Sequence, residues 1–109
     1  MEIQLNPEEI INNYDIVFAK AKAAMEALAT GAAVILCDFR GLGEIVSMEN
    51  FDHFRKYNFG MKTLTRPIDA DLIIKEIEKY NPEENKKTAQ KIRKDAAFKL
   101  YLEKIIFRA

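Results

Sequence analysis

Apolar residues along the chain fall into blocks whose spacing predicts the elements. Ile10, Tyr14, Val17, Ala21, Ala24 and Leu28 recur at alternating steps of four and three, and Ile11, Phe18 and Met25 widen the stripe. A helical period with so broad a stripe predicts an amphipathic helix with a wide buried face. Asn6-Pro7-Glu8-Glu9 predicts its start: Asn6 can accept from free N–H groups, Pro7 suits the first turn, and the glutamates face the positive dipole end. Gly31 predicts its end, because glycine enters a left-handed cap cheaply.

Ala32 to Phe39 is a short continuous apolar run with β-branched residues, the pattern of a strand covered on both faces. Asp38-Phe39-Arg40-Gly41-Leu42-Gly43 reads as a glycine-containing loop leaving it, with a short extended piece at Glu44–Val46. Ser47 is positioned to cap a helix over about 48–57, with Met48, Phe51 and Phe54 facing inward. Met61 to Thr65 alternates apolar and polar residues and reads as a second strand. Pro67 opens a third helix with Ala70, Ile73, Ile74 and Ile77 as its stripe, and Asn81-Pro82 closes it.

Asn81-Pro82-Glu83-Glu84 repeats the residues of Asn6-Pro7-Glu8-Glu9, the same capping solution without a wider internal repeat. It opens a last helix over about 82–107. The first half carries Asn85, Lys86, Lys87, Thr88, Gln90, Lys91, Arg93 and Lys94 and reads as solvated. After Asp95 the character changes. Ala96, Ala97, Phe98, Leu100, Tyr101, Leu102, Ile105, Ile106 and Phe107 would point nearly all round a helix. A helix apolar on every face is normally enclosed.

These elements predict an α/β fold in one domain, residues 1–109. It is a small sheet with a parallel strand–helix–strand unit (strands about 32–39 and 61–65), packed by N-terminal and C-terminal helices. Two strands make a thin sheet, so the helices or another chain must complete the core. The expected interface of a homo-oligomer or protein complex is therefore Phe98, Tyr101, Leu102, Ile105, Ile106 and Phe107.

Composition narrows the function classes. The chain has 17 basic and 17 acidic residues and no net charge, which argues against a dedicated nucleic-acid binder and lowers repulsion between copies. Local basic-aromatic groups exist: Arg55, Lys56, Lys62 and Arg66 with Tyr57 and Phe59, and Lys86, Lys87, Lys91, Arg93 and Lys94. Glu76, Glu78, Glu83 and Glu84 lie near the second group, so a solvated helix face is the favoured reading. Cys37 is the single cysteine, which fits a reducing compartment, and its apolar neighbours make it a small buried hydrophobe. Met1–Leu5 lacks the regions of a signal peptide, and no run approaches the roughly 18 apolar residues of a membrane span. The expected location is the cytoplasm, with no membrane contact.

No catalytic, metal or cofactor motif stands out. His53 is the one histidine, which makes a histidine-based metal site improbable. The position that most invites a ligand is the 38–47 connection, because α/β domains bind anions where a strand runs into a helix. Asp38, Arg40, Gly41, Gly43 and Ser47 are its candidate residues, although GxGxxG and Gly-Lys-Ser/Thr are both missing. The competing reading is a turn that uses glycine for its conformation, with Asp38 paired to Arg40.

Asp38-Phe39-Arg40-Gly41-Leu42 and Phe54-Arg55 resemble the start of the ribosomal stalk-base protein. Thr65-Arg66-Pro67 replaces the basic segment expected after the second strand, and the neutral charge does not match binding to ribosomal RNA. The same span is similar in rhythm to anti-sigma-antagonist domains, with Ser47 near their regulatory serine, but those domains begin with strands. Neither resemblance is adopted. The leading expectation is a non-enzymatic interaction or regulatory domain that oligomerises through its C-terminal helix. An anion-binding domain at 38–47 and a weak nucleic-acid binder are the alternatives.

Overall fold

A computed structural model describes residues 16–95 of the 109-residue chain. They form a three-stranded mixed sheet of order β1-β2-β3: β1 Ile16–Ala19, β2 Ala33–Asp38 and β3 Gly41–Ile45. Four helices surround it: α1 Ala21–Ala29, α2 Phe51–Lys56, α3 Ala70–Glu78 and α4 Pro82–Lys94. A 3-10 turn covers Met61–Thr63. The α/β class and the small sheet with a parallel strand–helix–strand unit are as expected from the sequence.

The members of that unit differ from the expectation. β1 pairs parallel to β2, with Ile16 opposite Ala33 and Ala19 opposite Leu36, and α1 crosses between them. Residues 16–19 therefore belong to a strand, not to a long N-terminal helix; the rest of that predicted helix before residue 16 lies outside the described residues. Ile16-Val17-Phe18-Ala19 fits a helical stripe and a strand equally well, and pairing with β2 decides it. The chain then turns sharply: Lys20 is extended, Ala21 has φ 52°, and the Ala21 N–H donates to the Phe59 carbonyl at 2.7 Å. Gly31, at φ 93°, closes α1 as its sequence position implied.

Residues 61–65 do not form the second parallel strand, because β1 holds that place beside β2. Thr63 instead folds back, its N–H and hydroxyl both donating to the Gly60 carbonyl. An isolated antiparallel bridge, Leu42 with Arg66, then lines this segment along β3. The 38–47 loop is largely strand: Phe39-Arg40 is a two-residue turn between β2 and β3, which pair antiparallel with an irregularity between Ile35 and Cys37.

The core lies on both faces of β2. Val34 and Leu36 join Ala24 and Leu28 of α1, Phe51 and Phe54 of α2, Phe59, and Ile92 of α4. Ala33 and Ile35 point the other way, with Leu42, Ile45 and the α3 residues Leu72, Ile73 and Ile77. The strict alternation of side chains along a strand places successive apolar residues in two different clusters. At about 1.5–3 kcal/mol per buried aliphatic or aromatic side chain, these two clusters supply most of the stabilisation.

Helix ends follow local chemistry with some corrections. Asn50, not Ser47, occupies the cap position of α2, and Met48 is exposed in the preceding turn. α3 begins after Pro67, where the Asp69 carboxylate accepts from the Asp71 and Leu72 N–H groups. Asn81 caps α4 as expected, accepting from the Glu83 N–H at 3.0 Å. α4 is not wholly solvated: Asn85, Thr88, Ala89 and Ile92 are buried, and Arg93 Nε donates to the Ala29 carbonyl at 2.7 Å. It stops at Lys94, and Asp95 is extended, so the single helix predicted over 82–107 is interrupted there. The expected interface residues Phe98 to Phe107 lie outside the described residues. Among the described residues, no helix is long and apolar enough to cross a membrane.

Candidate functional site

The five residues singled out at 38–47 divide between the two ends of β3. Asp38 pairs with Gly41 at one end of the hairpin, and Ile35 with Ile45 at the other. Four residue steps of extended chain span about 13 Å, so Ser47, beyond Ile45, is remote from Asp38. Ser47 enters a different region, where its N–H donates to the Asn50 side chain at 2.7 Å.

At the Asp38 end, both nearby cations already face the carboxylate. Lys20 Nζ lies 2.8 Å and Arg40 Nη2 3.2 Å from Asp38 Oδ2, and the Arg40 N–H donates to Oδ1 at 2.7 Å. Hydrogen bonding from Lys20 first, and then from the Arg40 backbone and side chain, holds the Asp38 pKa down to about 2 against the opposing effect of desolvation. The arrangement ties the β1–α1 junction to the hairpin. Cys37, next along β2 and partly buried, has its thiol pKa pushed up by burial and then by Asp38, which favours the protonated thiol.

The two glycines are needed for close packing. A side chain at Gly43 would place its Cβ 2.7 Å from the Thr63 carbonyl oxygen and 3.0 Å from Leu36 Cβ. At Gly41 it would come within 3.1 Å of the Leu64 carbonyl oxygen. The 63–66 segment thus occupies the space that a phosphate cradle would need. Sequence spacing gave no hint of this contact, since the segments are some twenty residues apart.

The hairpin tip has a second property. Phe39 is 84% exposed, and the Arg40 guanidinium lies 4.9 Å from its ring centre. Met61 is also exposed, and its Sδ lies 3.2 Å from Arg40 Nη2 and 3.3 Å from Lys20 Nζ. The tip thus carries an exposed aromatic ring next to a guanidinium that also meets a thioether, residue types enriched at protein interfaces.

Ser47 lines a cleft of about 530 Å³ at the opposite end of β3. Its walls come from residues 44–54 on one side and from the α3–α4 junction, residues 79–85, on the other. Glu44, Glu49 and Glu84 bring three carboxylates to it, and Ile45, Val46 and Phe54 an apolar floor. Beneath it Glu76, 1% exposed, accepts from the Ile45 N–H at 2.9 Å and from Lys79 Nζ at 2.9 Å, with Arg66 Nη2 at 3.4 Å. Burial pushes the Glu76 carboxyl up, but the Ile45 hydrogen bond and the two cations outweigh it and leave it below the ordinary range.

The basic-aromatic groups are committed within the fold only in part, and Lys86, Lys87 and Lys94 of the second group are exposed. Arg55 binds Asp95, Arg66 binds Glu76 and the Gly43 carbonyl, Lys91 binds Asp52, and Phe59 is buried. Lys56 and Lys62 stay at the surface over the Tyr57 ring. No cluster of three or more potential metal ligands occurs among the described residues. The chain matches no known protein family, no curated protein and no solved structure.

Proposed function

We propose that this protein is a non-enzymatic interaction domain that self-associates, using the apolar segment 96–107 and the Phe39 hairpin tip as contact surfaces. The supporting observation is Phe39 itself: a phenylalanine 84% exposed at a tight turn, with the Arg40 guanidinium 4.9 Å from its ring centre. A ring so exposed buries little apolar area within the fold, and its burial in an interface is worth about 1.5–3 kcal/mol. The sequence of 96–107 adds seven large apolar residues, Phe98, Leu100, Tyr101, Leu102, Ile105, Ile106 and Phe107. The zero net charge imposes little repulsion between copies.

Sedimentation equilibrium of the full chain and of Phe39→Ser tests this reading. The expected result is an oligomer whose dissociation constant rises by about tenfold or more in Phe39→Ser, with the circular dichroism spectrum unchanged. Equal association of the two proteins would remove the hairpin tip from the proposal. An anion-binding role has less support, because Lys20 and Arg40 both face Asp38 and residues 63–66 fill the space over the glycines.

A further inference from the structure

The sheet has two edges, and the fold treats them differently. Along β3 the 63–66 segment closes the edge, where Leu42 and Arg66 exchange backbone hydrogen bonds at 2.8 and 3.1 Å. Along β1 no described element takes that place. β1 pairs on one side with β2, and residues 16–19 make no backbone hydrogen bond outside that ladder among the described residues. An edge strand presents a row of N–H and C=O groups that can template another strand, and native proteins blunt such edges with lysine, proline or a bulge. Ile16-Val17-Phe18-Ala19 has none of these, its register with β2 is continuous, and Phe18 is 45% exposed.

The two ends of this strand differ in charge. At the C-terminal end Lys20 and Arg40 set two cations against the single Asp38 carboxylate, which leaves a positive excess. Asp15 directly precedes β1 in the sequence. Antiparallel pairing of two copies brings the negative end of each strand to the positive end of the other. We infer that β1 is a self-pairing edge, along which two copies of this chain join antiparallel about a two-fold axis and merge their sheets into one. A second copy is the occupant because the edge complements itself in both charge and side chains. Residues directly opposite in an antiparallel pair share a face of the sheet. An axis through Val17 therefore sets Phe18 against Ile16 of the second copy. It also sets Asp15 of the second copy opposite Ala19, next to Lys20. An axis through Phe18 would instead place Lys20 against the apolar Ile16. This inference rests on the self-association reading but names a separate surface, since neither the Phe39 tip nor residues 96–107 enter the pairing.

The test is disulfide trapping in the full chain, with Cys37→Ser removing the single native cysteine. In the inferred register the two Val17 Cβ atoms lie about 4.5–5.5 Å apart, within reach of a disulfide, whereas the two Ala19 residues are offset by roughly 13 Å or more. Val17→Cys should therefore give a covalent dimer under mild oxidation, and Ala19→Cys should not. A second measurement is sedimentation equilibrium of Phe18→Lys, which puts a charge on the edge at an exposed position. Its dissociation constant should rise by about tenfold or more. Ile68→Lys, at a residue 47% exposed and outside the strand, should leave association unchanged. An oligomeric chain that fails to cross-link at 17, cross-links equally at 17 and 19, or responds alike to both lysine variants would overturn the edge pairing and leave self-association standing. A chain that stays monomeric would overturn both.

Discussion

Glu76 offers the sharpest test of how the sheet is held to α3. Its carboxylate is the acceptor for the Ile45 N–H and the counter-charge for Arg66 and Lys79, so it joins α3, the end of β3 and the 63–66 segment. Replacing it with alanine leaves a buried N–H without an acceptor, at about 1–3 kcal/mol, and strands the half-buried Arg66. Lys79 is half exposed and adds little. Breaking a buried pair by deleting one partner costs about 3–5 kcal/mol, and the partial exposure of both cations places Glu76→Ala near 3. Glu76→Gln keeps an oxygen for Ile45 and loses only the charge, so about 1–2 kcal/mol is expected.

Urea unfolding at pH 7 reads both values. The pH dependence separates charge from shape. The Glu76 pKa lies below its ordinary 4.5 in the folded protein, so the unfolded chain takes up the proton first on acidification. The stabilisation is therefore complete above about pH 4.5 and disappears as the pH falls through the folded value. The gap between wild type and Glu76→Gln should close over that interval. A cost below about 1 kcal/mol for Glu76→Ala, or a gap that stays constant in acid, would refute the reasoning.

Other consequences are simpler to measure. Gly43→Ala forces a Cβ against the Thr63 carbonyl and should destabilise by about 3 kcal/mol or more, while Gly31→Ala meets no atom and should cost only about 1 kcal/mol for its left-handed φ; thermal unfolding ranks the two. Ala21→Gly should stabilise by up to about 1 kcal/mol in the same assay, because Ala21 sits at φ 52°. Asp38 should titrate at about pH 2 by carboxyl-carbon NMR, and in Lys20→Met its midpoint should rise, since the Lys20 hydrogen bond is the largest cause of the depression.

Several parts of this fold could be read from the sequence because they depend on local chemistry. Asn81-Pro82 caps α4, Gly31 closes α1, and Val34–Leu36 is a strand covered on both faces. The errors came where tertiary partners decide. Ile16–Ala19 and Met61–Thr65 each carry a pattern compatible with two conformations, and only one segment can pair with the free edge of β2. The candidate site failed to assemble for a related reason. A run rich in glycine between a strand and a helix suggests a loop, but Gly41 and Gly43 lie within a strand that needs small residues against the 63–66 backbone. The burial of Asn85 had no sequence signal, since it depends on which face of α4 meets the rest of the domain. A helix rich in lysine conceals a buried stripe of Asn85, Thr88, Ala89 and Ile92.

Self-association is the central claim, and the mass of the full chain in solution tests it most directly. Light scattering across the micromolar range should give a dimer or larger species whose mass falls on dilution and falls further in Ile105→Asp. A concentration-independent monomer of 12.6 kDa would contradict it.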